Sequence, residues 1–350
     1  MRTENVERGT RNRGRSFHAL FRVRTSAFAV LLAACGGSQD APRVPVTVPP
    51  GATLGAAVES LAAHGVIRNP GLFMWYARLR GLGGALKSGD YLLPQNAAWS
   101  EVAAVLGRGR GIETRWSVPE GLMLGEVARF AATDLGVSRD SFLAAAREPA
   151  LRSELGLPPE AVSVEGYLYP TTYVLPRRIG ARELVRVMVR QFLDQWQPEW
   201  EARLDSLHFT RHQLVTLASI IEAEVRVDAD RPYVSAVYHN RLRRGMRLEA
   251  DPTVIYAYGR RLKRVWEKNL AVASPYNTYL HRGLPPGPIG EPGQASLRAA
   301  LYPAPLPFLF FVAQPDGRHI FSATLAEHEA AIRTVKRLQS EARARRPPGR

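Results

Sequence analysis

The run Thr216-Leu-Ala-Ser-Ile-Ile-Glu-Ala-Glu-Val225 sets two carboxylates, Glu222 and Glu224, at the end of a strongly apolar stretch. A carboxyl at the margin of an apolar helix is partly desolvated, which favours its protonated form and suits it to act as a general acid near neutral pH. Two later segments, Asp251-Pro-Thr-Val-Ile-Tyr256 and Ser274-Pro-Tyr-Asn-Thr-Tyr279, are rich in Tyr, Asn and Thr. Amides and phenols pair with hydroxyls, and tyrosine rings stack on pyranose faces, so these segments have the make-up of a carbohydrate cleft.

Glu222 and Glu224 are two positions apart, about 200° around a helix, and cannot share one face. Glu224 lies three residues past Ile221 and seven past Leu217, whereas Glu222 lies four past Ala218 and borders the same stripe from the other side. Periodicity does not choose between them.

The elements that must position these groups are readable. Thr210 precedes Gln213 with capping-box spacing, and Leu214, Leu217, Ala218, Ile221 and Val225 recur at helical intervals, which predicts a helix of about four turns. Asp230-Arg-Pro232 opens a second helix with Val234, Val237, Tyr238 and Leu242 on one face and Gly245 as its stop. Phe308 to Val312 and His319 to Phe321 flank Gln314-Pro-Asp-Gly317, a hairpin signal, and Thr324-Leu-Ala-Glu327 caps a last helix. The region is α+β.

Upstream, Val46-Thr-Val-Pro-Pro-Gly-Ala-Thr-Leu-Gly55 recurs as Trp116-Ser-Val-Pro-Glu-Gly-Leu-Met-Leu-Gly125. Each copy predicts a strand, a Pro/Gly turn and an amphipathic helix. A further helix over 70–80 and a strand over 87–93 follow the first copy. Such small units resemble LysM modules, which bind N-acetylglucosamine-containing glycans; the alternative is an arm that only orients the next domain.

These motifs, with Glu165-Gly-Tyr-Leu-Tyr-Pro170 and Leu284-Pro-Pro-Gly287, resemble the endolytic peptidoglycan transglycosylase family (MltG or YceG-like proteins) over roughly residues 46–335. The resemblance implies that the second glutamate of Ser-Ile-Ile-Glu-X-Glu, here Glu224, is the acid catalyst, with Glu222 in support. It implies a substrate shell of Asn240, Asp251, Thr253, Tyr256, Tyr276, Asn277 and Thr278, with Glu165 as a second acidic residue near the site or a loop-fixing one. The implied reaction cleaves MurNAc-β-1,4-GlcNAc bonds inside glycan strands and leaves 1,6-anhydro-MurNAc ends, with no cofactor. It implies termination of glycan elongation beside peptidoglycan synthases. Three positions depart from the family pattern: Glu249-Ala250, Gly290-Glu291 and Glu329 stand where amides or small residues are usual.

The 350-residue chain carries a net charge of +15, much of it in arginine-rich tails. No RNA-binding signature, Cys/His finger or basic recognition helix is present, so nucleic acid is not an expected partner. His208 and His212 have Thr210, the expected cap, between them and share no helical face, so no metal is expected. Ser26-Ala-Phe-Ala-Val-Leu-Leu-Ala-Ala34 is shorter than the about 20 residues that span a bilayer but fits a secretory h-region. It ends in Leu32-Ala-Ala-Cys35, which resembles a lipobox with Cys35 lipidated; an ordinary cleavage site is the alternative. The family usually has one transmembrane helix here.

The expected organisation is therefore a leader (1–35), a tether (36–45), a LysM-like module (46–112), a second LysM-like segment (113–159), an α+β catalytic domain (160–335) and a basic tail (336–350). The protein is expected to be exported and membrane-anchored, with the catalytic domain on the cell-wall side and peptidoglycan strands as its partner. Two competing readings are a non-catalytic peptidoglycan-binding lipoprotein and a protein that binds polyanions by charge alone.

Overall fold

Turn glycines set up both copies of the repeat. The computed structural model describes residues 41–109, 111–262 and 264–344, so Cys35 and the leader lie outside the described residues. β1 (Arg43–Val48) passes through Gly51, whose φ of +76° suits a residue without Cβ, into α1 (Leu54–Ala63). The Thr53 side chain caps α1 by accepting from the Ala56 N–H at 3.2 Å. α2 (Pro70–Leu79) and the short α3 (Leu82–Ala85) lead to β2 (Gly89–Pro94), which pairs antiparallel with β1 so that Val46 faces Tyr91. With α4 (Trp99–Arg108), this arrangement of two strands flanking three helices closes its own core around Val46, Leu61, Phe73, Tyr91 and Leu106.

The chain divides into two compact units after Glu113. In the second, β3 (Glu113–Ser117) turns through Gly121, φ +70°, into α5 (Leu124–Leu135), repeating the first copy. α6 (Arg139–Arg147) and α7 (Pro149–Glu154) follow, then β4 (Thr172–Pro176), which pairs with β3. Here the repeat does not close on itself: Trp116, Leu124 and Val127 join one continuous core with Leu214, Leu217 and Ile221. Residues 114–159 and the chain from 160 onward are thus one packed body.

The rest is helical apart from one hairpin. α8 (Ala181–Gln195), α9 (Pro198–Leu207), α10 (Arg211–Glu224), α11 (Arg231–Arg243), α12 (Asp251–Ala257) and α13 (Gln294–Leu301) precede β5 (Phe310–Ala313) and β6 (His319–Ser322), and α14 (Leu325–Ala344) follows. The described residues are therefore mixed α+β, mostly helical, with three two-stranded sheets. No helix among them is long and apolar enough to cross a membrane.

α10 is the central element. It begins at the expected capping box, with the Gln213 N–H donating to Thr210 Oγ1 at 3.2 Å and the Thr210 N–H to Gln213 Oε1 at 2.9 Å. The expected one-sided stripe is wider in the structure, because Val215, Thr216, Ser219 and Ile220 are buried as well. Helices α9, α11, α12 and α13 all pack against it, which leaves no solvent face between its first and last turns. Thr216 and Ser219 tolerate burial because their hydroxyls donate back to the carbonyls of His212 and Thr216, each at 2.7 Å.

Candidate active site

Glu224, the last residue of α10, is half-buried in the wall of a cavity of about 630 Å³. The apolar body of the helix brings it there, and the helix end releases it into open space. Burial pushes its carboxyl up to about 7; the Tyr238 hydroxyl, which donates to Oε1 at 2.9 Å, pulls the other way, and the negative charge of Asp251 raises it further. Tyr238 itself is fully buried on α11, edge-on to Phe311, and its phenol is pushed far above its ordinary value, so it stays a donor. A carboxyl near 7, with one oxygen pinned and the cavity before it, can give a proton at neutral pH and take one back.

Across the same cavity stand Asp251, Glu249, Arg241, Tyr279 and His319. The Tyr279 hydroxyl donates to Asp251 Oδ1 at 2.7 Å, and Arg241 is tied to Glu249 at 3.1 Å and to the Leu248 and Leu309 carbonyls at 3.0 and 2.7 Å. His319 is held by Asp230, Nδ1 to Oδ2 at 2.9 Å.

Glu222 points the other way. Its carboxylate is 7% exposed and pairs with Arg231 at 3.2 Å, while Oε2 accepts the Gly293 N–H at 3.0 Å, capping α13. Arg231 also holds Asp228 and Ser296. Every strong valence of Glu222 is therefore spent inside the protein, as expected for a supporting residue.

The remaining predicted residues separate into three groups. Of the expected shell, only Asp251 lines the Glu224 cavity. Thr253 and Thr278 are buried and bond each other at 2.9 Å, with Thr278 Oγ1 accepting the Ala250 N–H and Thr253 donating to the Ala250 carbonyl. Asn277 donates to the Leu270 and Val272 carbonyls and accepts the Tyr279 N–H at 3.0 Å, so it fixes the loop that carries Tyr279. Asn240 spends its amide on the Leu306 and Phe308 carbonyls and lines a different cavity.

Tyr256, Tyr276 and Glu165 form the third group. Glu165 is buried, accepts the Leu124 N–H at 2.7 Å through Oε1 and the Tyr256 hydroxyl at 2.7 Å through Oε2, and is pushed up to about 7 by burial. Tyr256 and Tyr276 pack against each other with their rings tilted by 46° and 4.7 Å between ring centres. Glu165 thereby caps α5, the helix of the second repeat copy. Glu291, at one of the departures from the family pattern, is fully buried beside it: Oε2 accepts the Leu168 N–H at 2.9 Å, and burial and the Glu165 charge hold its carboxyl well above the ordinary range.

Sequence reasoning missed Tyr238 and Tyr279 as partners of the two carboxylates, although both lie within motifs that drew attention. It also missed Arg241, one residue beyond Asn240. Both ring nitrogens of His212 are occupied, Nδ1 by Tyr167 at 2.9 Å and Nε2 by the Pro286 carbonyl at 3.0 Å. Among the described residues no group of three or more His, Cys, Asp or Glu side chains is arranged to hold a metal.

Residues 46–334 match the model of the YceG-like family. The endolytic murein transglycosylase of Bacillus subtilis (strain 168) is 31% identical over 302 residues, covering 82% of this chain and 83% of that protein. The endolytic murein transglycosylase of Streptococcus pneumoniae serotype 2 is 25% identical over 83% of this chain, and the match spans 58% of its length. The crystal structure of a protein from Listeria monocytogenes described as YceG-like superposes with a TM-score of 0.57 at 30% identity, covering 83% of this chain and 99% of that one.

Proposed function

The chain belongs to the YceG-like family, and from that premise we propose that it is an endolytic murein transglycosylase with Glu224 as its acid and base. The observation that carries the reading is the half-buried Glu224 carboxyl, pushed up to about 7 in the wall of an open cavity, with Tyr238 fixing one oxygen. Glu224 protonates the glycosidic oxygen between MurNAc and GlcNAc as the C1–O bond breaks. It then takes the proton from the C6 hydroxyl of the same MurNAc as that oxygen bonds to C1, closing a 1,6-anhydro ring. No water is consumed, because the hydroxyl is held by the substrate itself at high effective concentration.

Asp251, fixed by Tyr279, faces the cavity and offers negative charge to the developing oxocarbenium ion. Thr253, Asn277 and Thr278 support this wall. Digestion of glycan strands in oxygen-18 water tests the reaction: unlabelled 1,6-anhydro-MurNAc ends are expected, and labelled reducing ends would show hydrolysis instead.

The antiparallel β1–β2 pair with helices α1 to α3 between its strands supports a LysM-like, glycan-binding role for residues 46–112. Titration of the full chain with N-acetylglucosamine oligomers, read at nuclei of this unit, should show saturable shifts; silence there leaves it a structural arm. In this reading the protein is exported and anchored to the cell membrane through lipid on Cys35, with the catalytic domain on the cell-wall side, and ends glycan elongation beside peptidoglycan synthases. The mass of membrane-extracted protein should lack residues 1–34 and include lipid, and retention of those residues would refute the lipid anchor.

A further inference from the structure

A second cavity, of about 540 Å³, opens beside the C-terminal end of α11. Arg203, Arg243 and Arg244 line it with the walls Pro303, Pro305 and Pro307, and no Asp or Glu is among its lining residues. Among the described residues, no carboxylate stands within ion-pair distance of these three arginines. Arg203 is tied to the Leu301 carbonyl at 2.8 Å and lies over the Tyr302 ring, and Arg243 donates to Asn240 Oδ1. Arg243 and Arg244 remain exposed. The positive field reaches buried His239, whose imidazole is held below its ordinary value by burial first and by Arg243 and Arg203 in addition.

One chain segment contributes to both this cavity and the one holding Glu224. The Asn240 amide grips the Leu306 and Phe308 carbonyls at 2.8 and 2.7 Å, and Arg241 grips the Leu309 carbonyl at 2.7 Å, so segment 303–313 is strapped to α11. One end of that segment, 303–307, walls the arginine cavity, and the other, 311–313, walls the Glu224 cavity. On α11, Arg241 lines the Glu224 cavity, while Arg244, the C-cap residue just past the helix end, lines the other.

We propose that the Arg203–Arg243–Arg244 cavity receives the carboxylates of a peptide stem that branches from the glycan held in the Glu224 cavity. This rests on the proposed murein substrate, whose MurNAc units carry such stems on their lactyl groups. A stem residue spans at most about 3.6 Å, so a chain of a few residues leaving the glycan crosses the strap. Arginine forks pair with carboxylates bidentately, and the proline wall offers apolar surface to the stem's small side chains.

The test uses the full chain and an isolated, free stem tetrapeptide, titrated by calorimetry. Wild type should bind it, and Arg243→Ala/Arg244→Ala should weaken binding about tenfold or more. Arg244→Glu alone, on a side chain exposed at the helix end, should do the same, and all variants should cleave stem-free glycan as wild type does. Absence of wild-type binding, or equal binding by the variants, overturns the proposal. So does loss of binding to anionic phospholipid vesicles in the variants while stem binding is untouched, since the cavity would then be a lipid site. If the titration pattern holds but wild type cleaves no glycan, the cavity stands and the transglycosylase reading falls.

Discussion

Two sides of the last turn of α10 treat the same residue type in opposite ways. On one side Glu222 is enclosed, paired with Arg231 and capping α13 through the Gly293 N–H. On the other, among the described residues, Glu224 has one hydrogen bond, from Tyr238, and an open cavity before it. Both carboxylates are desolvated, yet only the first is compensated by a cation. Burial with a counter-charge makes a brace, whereas burial without one makes a group that holds its proton near neutrality.

The sharpest way to break this contrast is to neutralise each glutamate without changing its shape. Glu224→Gln is expected to lower the release of anhydro-muropeptides by about a thousandfold or more, because the amide can neither give nor take the proton, while the melting temperature stays close to wild type. Full activity would remove Glu224 from the reaction. Glu222→Gln should do the converse, costing about 3 kcal/mol in urea denaturation by leaving the buried Arg231 with only the exposed Asp228 as counter-charge, with activity reduced tenfold at most where the chain remains folded. A reversed pattern would exchange the two roles.

Much of this contrast was legible. The capping box at Thr210, the turn of about 200° between the two glutamates and the repeat around Gly51 and Gly121 are local features, written in spacing and residue type, and the structure has them. What could not be read is where hydrogen-bonding capacity is spent. Asn240, Thr253, Asn277 and Thr278 are polar residues in suggestive loops, but their valences go to backbone groups or to each other, and only tertiary packing decides that. Tyr238 meets Glu224 from another helix, fourteen positions on. The second repeat copy illustrates the same limit, since its strand–turn–helix signal is as clear as the first, yet its helix is capped by Glu165 and its core belongs to the larger unit.

The finest test moves the proton affinity of Glu224 without removing it. As the proposed acid must be protonated, kcat/KM for glycan cleavage should fall as pH rises through about 7, the value to which burial pushes the group. The Tyr238 hydroxyl favours the charged carboxylate, so Tyr238→Phe, which keeps the ring against Phe311, should move that alkaline limb to higher pH. Asp251 disfavours the charged form, so Asp251→Asn should move the limb to lower pH. Each displacement should be about half a pH unit to one unit, the scale of a single lost hydrogen bond or neighbouring charge near a partly solvated group. Asp228→Asn, on the exposed partner of Arg231 behind Glu222, should leave the limb in place. Opposed shifts from the first two variants and none from the third would tie the limb to the cavity side of α10, while shifts in one common direction would show that some other group sets the profile.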